Sequence, residues 1–382
     1  MTFLVPALNT EIRICESLTD IPAKQWDALA GDNPFLSHCF FLSLQESGCA
    51  VENTGWQPRF LTHWQDDCIT GAMPMYLKPH SYGEFVFDWA WADAYQRHGL
   101  NYYPKLVSAV PFTPVTGPRV LGESAGVRVA LLRAALDLAV EAGLSSLHVL
   151  FPTLEQAEEM QQMGLMLRQG VQFHWKNPGY TDFADYLSAM SHEKRNKIRQ
   201  ERRRVADAGI KYERISGKEL SEEQWSFFFR CYEQTHRQYR SPIPLNRDFF
   251  RRIGEKMPEN ILLVVASREG VPIASALNFL NRHTLFGRSW GTLEYHPGLH
   301  FETCYYQAIE YCIEQRLAVF EGGAQGEHKL ARGFLPTPTW SAHWLPHPEF
   351  SRAVEEFLRR ESLGVAHYVD ELNDHNPFKK GE

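Results

Sequence analysis

The strongest constraint on this chain is a plan that occurs twice. Residues 56–64, 68–77 and 83–89 are short, apolar or aromatic-rich, and separated by turn residues, which predicts an antiparallel meander. A long loop follows, then a helix over 126–141 stopped at Gly143, then an apolar strand over 146–151. The same order returns later: strands over 261–267, 271–280 and 284–290, a glycine-bearing turn, a helix over 301–315, and an apolar run over 317–320. Identity between the copies is poor, yet the order of elements matches, so we read an internal duplication of one unit. The expected class is α+β or α/β, two units over 1–170 and 180–382, each a mostly antiparallel twisted sheet flanked by helices.

Composition agrees with two such units. At 382 residues, with 44% hydrophobic and 22% charged, the chain reads as an ordinary globular protein. A net charge of −7 argues against binding nucleic acid over the whole surface, while leaving local patches open. The 7 cysteines include no CxxC pair and no zinc spacing, which fits reduced thiols. No basic lead opens the chain, and no apolar run approaches the ~20 residues that span a bilayer. We therefore expect a cytoplasmic protein without integral membrane contact. His343 and His347 have metal-ligand spacing for a helix, but Pro346 disfavours a helix there, and no metal site is expected.

Three segments carry candidate chemistry. Residues 88–119 form a long aromatic loop in the first unit, interrupted by Pro104, Pro111, Pro114 and Pro118. Its candidate ligand-binding residues are Trp89, Trp91, Asp93, Tyr95 and Lys105. The second unit opens with a helix expected over 181–208. It carries a basic run, SHEKRNKIRQERRRVADAG, around an inner stripe of Lys194, Ile198, Glu201, Val205 and Ala208. Lys194, Arg195, Arg199, Arg202 and Arg203 suit a phosphate-rich partner. A solvated face with pairs such as Glu193–Lys197 is the competing reading.

The third segment is residues 320–334, FEGGAQGEHKLARGF. A short apolar strand runs into glycines that let a ligand approach the main chain. Among and after them stand Gln325, Glu327, His328, Lys329 and Arg332. A dense set of titratable groups where a strand ends is where α/β proteins place chemistry. The first unit's strand ends in Pro152, without a counterpart to this loop.

The repeated unit, a meander followed by a helix and a further strand, resembles the GNAT acyltransferase fold. Two in tandem resemble the FemAB-type family, relatives of the aminoacyltransferases that build peptidoglycan cross-bridges. The basic helix, the segment HPGLHFETCYYQAIEYCIE and the loop FEGGAQGEHKLARGF carry the resemblance. FVFDWAWADAY and PFTPVTGPR are similar to a bacterial FemAB-like branch. The resemblance implies acyl or aminoacyl transfer to an amine acceptor: a cell-wall precursor, a peptide or a small molecule. The implied donor is aminoacyl-tRNA or acetyl-CoA or another acyl-CoA, with no metal. The Q/R-x-x-G-x-G/A loop common in acetyl-CoA enzymes is replaced here by PGLHFE, and Glu302 in that first turn would repel a pyrophosphate. This favours aminoacyl-tRNA as donor, and tRNA as a partner of the basic helix.

Amine attack needs a general base and donors for the oxyanion. Glu302, Glu327, His328 and His300 are the candidate bases, with Glu294 behind them. Arg288, Lys329, Arg332 and backbone N–H groups of the 322–326 loop are candidate stabilisers. Trp290, Tyr305 and Tyr306 are expected to line the substrate cleft. Two other readings stay open: an acetyl-CoA-dependent N-acetyltransferase, and a non-catalytic RNA- or phospho-ligand-binding module on a GNAT core.

Overall fold

A computed structural model describes residues 10–323 and 326–379. The chain forms two compact units, Met1–Gly170 with Thr339–Val365, and Val171–Pro338 with Ala366–Glu382.

The first part of the chain contains β1 (Thr10–Cys15), α1 (Ala23–Ala30), α2 (His38–Glu46), β2 (Gln57–Pro58), β3 (Phe60–Gln65), β4 (Cys68–Met73) and β5 (Tyr76–Lys78). It continues with α3 (Trp89–Arg97), β6 (Lys105–Ser108), β7 (Leu121–Gly122), α4 (Ala125–Glu141), β8 (Leu147–Leu150), α5 (Leu154–Gln162) and β9 (Met166–Lys176). Then follow α6 (Phe183–Ala189), α7 (His192–Asp207), β10 (Ile210–Ser216), α8 (Glu222–Gln238), α9 (Arg247–Lys256), β11 (Ile261–Arg268), β12 (Val271–Leu280) and β13 (Thr284–Thr292). Helix α10 (Leu299–Phe301) passes through a π-helical turn, Glu302–Tyr306, into α11 (Gln307–Glu314). The remaining elements are β14 (Val319–Glu321), a 3-10 turn Glu327–Arg332, β15 (Leu335–Trp344) and α12 (Pro348–Asp374).

Side-chain caps start the helices where the sequence offers them. Ser124, Thr153 and Ser221 accept from backbone N–H groups three residues on, and Ser221 with Gln224 makes a capping box. The duplicated plan is visible in the pairing. In unit 1, β6 and β8 run parallel, joined through α4, and β8 pairs antiparallel with β15. In unit 2, β13 and β14 run parallel, joined through α10 and α11, and β14 pairs antiparallel with β9. A parallel pair needs such a crossover. The other strands of unit 2, β10 to β13, form an antiparallel meander.

Several expectations need correction. The 83–89 segment is not a strand: Phe85 sits at φ 62, outside the extended region, and Glu84 and Asp88 turn inward. The 88–119 segment is not one long loop, since it contains α3 and β6. The expected strand 68–77 is two strands on either side of Pro74, which has no N–H to donate to a ladder. The helix expected over 181–208 breaks at Met190–Ser191. There Ser191 N donates to Pro377 O and Lys379 N donates to Ala189 O, so the backbone pairs sideways instead of continuing the helix.

Candidate active site

Strands β13 and β14 stay paired only as far as Phe286 and Glu321. Strand β13 then runs on to Thr292, while the chain leaves β14 at Gly322. Opposite β12, Leu277 faces Ser289 and Asn278 faces Gly287, which leaves Arg288 as the extra residue of a β-bulge. The bulge turns Arg288 toward Glu321, with Nη2 3.6 Å from its carboxylate. Across β14, Glu321 is in register with His174 of β9. A strand pair that separates at a bulge exposes backbone edge where a ligand can enter.

The 3-10 turn brings its side chains back to this opening. Lys329 is buried and its Nζ donates to Gly323 O at 3.1 Å. Burial, then the Arg288 charge, pushes the Lys329 ammonium down to about 8. Burial likewise brings Arg288 down to about 10, which leaves it charged at neutral pH. His328 is exposed, with Nε2 3.1 Å from the Tyr305 hydroxyl. Burial and the Lys329 and Arg332 charges hold its imidazole below the ordinary histidine value, so it is neutral at pH 7. His300 is pushed further, to about 4, by burial and then by His328 and the same cations. Aromatic faces wall the opening. Trp290 lies 4.6 Å from His300, His300 lies 5.4 Å from Tyr305, and Phe301 lies 5.7 Å from His328.

The turn is anchored from beneath. Arg332 Nη2 donates to both oxygens of the buried Glu201 on α7, and Nη1 donates to His328 O at 2.6 Å. The Tyr306 hydroxyl donates to the same Glu201 carboxylate. The guanidinium lies 3.4 Å from the Phe301 ring centroid. Tyr306 belongs to the π-helical turn, a feature often found at functional sites.

The FemAB-like family of peptidoglycan biosynthesis and recognition proteins matches residues 17–380. The chain belongs to the FemAB-like family. Solved structures give the fold. The C-terminal domain of a putative lysylphosphatidylglycerol synthetase from Agrobacterium fabrum aligns with a TM-score of 0.56 at 9% identity, over 88% of this chain and 96% of that one. FemX aligns at 0.55 and 11% identity, over 88% and 98%. L-PGS from Bacillus licheniformis aligns at 0.53 and 12% identity, over 86% and 96%. Among curated proteins no sequence matches. The FemAB-like chain is thus two GNAT-like units, each a mixed α/β assembly with an antiparallel sheet flanked by helices.

Within this FemAB-like framework unit 2 brings together Arg288, Trp290, His300, Tyr305, Tyr306, His328, Lys329 and Arg332. Gln325 lies outside the described residues. Glu327 is exposed and accepts from the Tyr368 hydroxyl at 2.6 Å. Glu302 needs correction as a candidate base. It is buried against Arg202 at 3.1 Å, accepts from Gln307 at 2.8 Å, and its carboxyl is raised by burial. It therefore does not offer a bare charge to repel a phosphate at the helix start. Arg202 is in turn engaged by Glu302 and Glu310 and covers Phe183, so it belongs to the fold and not to a free basic face. Glu294 pairs with Arg268 and His296. On α7, Arg199 and Arg203 are exposed, and Lys194 and Arg195 are half-buried. Glu193 meets Lys194 instead of Lys197.

The unit 1 candidates of the FemAB-like chain are mostly structural. Trp91 and Tyr95 are buried, Tyr95 against Phe350 at 4.0 Å. Asp93 is exposed and pairs with Arg97. Lys105 is fully buried, donating to Ser81 Oγ, Glu84 and Asp88. Only Trp89 reaches solvent as a large aromatic of that set. Where unit 1 repeats the parallel pair, its own Arg119 fills the strand end, donating to Leu150 O at 2.8 Å, Gly117 O at 3.0 Å and Val115 O. Sequence reasoning missed Glu201 as the anchor of the turn, although an acid on the inner stripe of the helix, between Ile198 and Val205, was the available signal.

Proposed function

We propose that unit 2 transfers an aminoacyl group from aminoacyl-tRNA to an amine of a cell-wall precursor. The observation that carries this reading is one arrangement at the opening between β13 and β14. A buried ammonium, Lys329, is positioned beside a neutral imidazole, His328, that is steadied by the Tyr305 hydroxyl. His328 takes the proton from the acceptor ammonium, and the freed amine attacks the ester carbonyl. Lys329, itself buried, faces the oxyanion that forms, and one such donor is worth several kcal/mol. The nitrogen of the tetrahedral intermediate releases its second proton to solvent, the carbon–oxygen bond of the ester breaks, and the proton on His328 passes to the leaving ribose oxygen. Family membership and the fold shared with FemX support the reaction class. The exposed arginines of α7 supply charge for an RNA backbone.

A melting-temperature panel tests the donor. Aminoacyl-tRNA and a UDP-linked muropeptide should each raise the transition by mass action. A shift with acetyl-CoA or another acyl-CoA alone would overturn the reading.

A further inference from the structure

Residues 81–89, SYGEFVFDW, are folded inside out. Ser81, Glu84 and Asp88 are buried, whereas Tyr82, Phe85, Phe87 and Trp89 are 64%, 41%, 55% and 41% exposed. A loop facing water normally shows the reverse. The inversion is built by specific contacts. Lys105 Nζ donates to Ser81 Oγ and Glu84 Oε2, both at 2.8 Å, and to Asp88 Oδ2. Lys78 Nζ donates to Tyr82 O at 3.1 Å and lies 3.8 Å from Glu84. Arg168 Nη1 donates to Phe87 O at 2.7 Å. Phe85 is held at φ 62, in the left-handed region where a bulky residue is rare. Glu84 and Asp88 are turned inward onto Lys78 and Lys105, so the outward face of the segment carries no ionised side chain.

We propose that this face of unit 1 contacts a lipid bilayer, with Phe85 and Phe87 entering the boundary between headgroups and acyl chains. Tyr82 and Trp89, edge to face with centroids 5.1 Å apart, bracket them at headgroup level. Aromatic rings with one polar atom prefer that level, and an electroneutral tip avoids carrying charge into the bilayer. At their exposures the four side chains present on the order of 400 Å² of surface. That is about half of the ~800 Å² each partner gives to a stable protein interface, which favours lipid over a second copy of the chain. A sugar-binding face would set exposed polar side chains beside the rings, and here all three of the segment's polar side chains other than Tyr82 and Trp89 are buried. The proposal concerns unit 1 alone and stands apart from the reading of unit 2.

Co-sedimentation of the full chain with vesicles tests it, using phosphatidylcholine alone and phosphatidylcholine with phosphatidylglycerol. The wild type should pellet with both, and binding should persist at high salt. The variant Phe85→Ser/Phe87→Ser/Trp89→Ser should bind about tenfold less or weaker still. A Phe87→Trp variant should shift its emission to the blue on vesicle addition, which reads insertion directly if the triple variant folds poorly. A wild type that stays in the supernatant with every vesicle overturns the proposal. So does salt-sensitive binding that the folded triple variant retains, or a wild-type dimer that this variant turns into a monomer.

Discussion

Arg332 Nη2 stands 2.8 and 2.9 Å from the two carboxylate oxygens of Glu201, a residue 131 positions earlier in the sequence. Both side chains are nearly excluded from water, at 3% and 11% exposure. The pair ties the 3-10 turn that carries His328 and Lys329 to the basic helix α7. Removing one partner strands the other as a buried charge, which typically costs about 3–5 kcal/mol. Glu201→Ala should therefore lose about 3 kcal/mol or more in chemical denaturation. Replacing both partners, as Glu201→Leu with Arg332→Met, should recover most of that loss. A double variant as unstable as the sum of the singles would contradict this account of the anchor.

Lys329 is held in a state that the fold disfavours. Its ammonium is lowered by burial to about 8, against the ordinary 10.5. Between those two values the unfolded chain binds more protons than the folded one, so stability rises with pH across that window. Below pH 8 the full penalty applies, of order 3 kcal/mol. Lys329→Met should therefore stabilise the protein at pH 7, by about 1–3 kcal/mol after loss of the bond to Gly323 O. The gain should shrink at pH 9.5. Urea midpoints at the two pH values measure this, and the same variant should lose transfer activity. Such an exchange of stability for activity marks a functional site.

Gly326 opens the 3-10 turn at φ 116, a conformation that residues with a Cβ rarely adopt. A Cβ there would also lie 2.4 Å from His328 Cε1. Gly326→Ala should displace the imidazole from the Tyr305 hydroxyl and add backbone strain of about 1–3 kcal/mol. The expected outcome is a fall in kcat larger than the change in stability accounts for. Unchanged kcat would argue that His328 is not positioned by this turn.

The arginines of α7 should divide into two classes. Arg202 pairs with Glu302 and Glu310, so Arg202→Gln should lower the melting temperature. Arg199 and Arg203 are exposed, so Arg199→Gln/Arg203→Gln should leave stability near wild type. The double substitution should weaken tRNA binding and flatten its salt dependence by roughly one unit for each phosphate no longer neutralised. Titration of tRNA binding against salt for the three proteins separates the two roles.

Much of the fold was legible because local rules and tertiary structure agree. Capped amphipathic helices such as α8 and the continuous apolar runs of β11 and β12 could not easily be read otherwise. Strand β15 was not legible, because Pro336 and Pro338 argue against a strand until its partners are known. The break between α6 and α7 depends on backbone pairing with residues 377–379, which no local pattern announces. The 81–89 segment alternates as a strand would, but with the polar side chains turned inward toward Lys78 and Lys105. At the candidate site, His328 and Lys329 stood out by composition. Glu302 and Arg202 also looked like ligand-binding groups, and only their mutual distance of 3.1 Å reassigns them.

Transfer by the turn behind β14 is tested most directly by following a labelled amino acid from aminoacyl-tRNA onto the amine of a UDP-linked muropeptide. Wild-type protein should move the label to the acceptor, and Lys329→Met, folded and at least as stable, should lose it by about a hundredfold or more. Equal transfer by the two proteins would contradict the account.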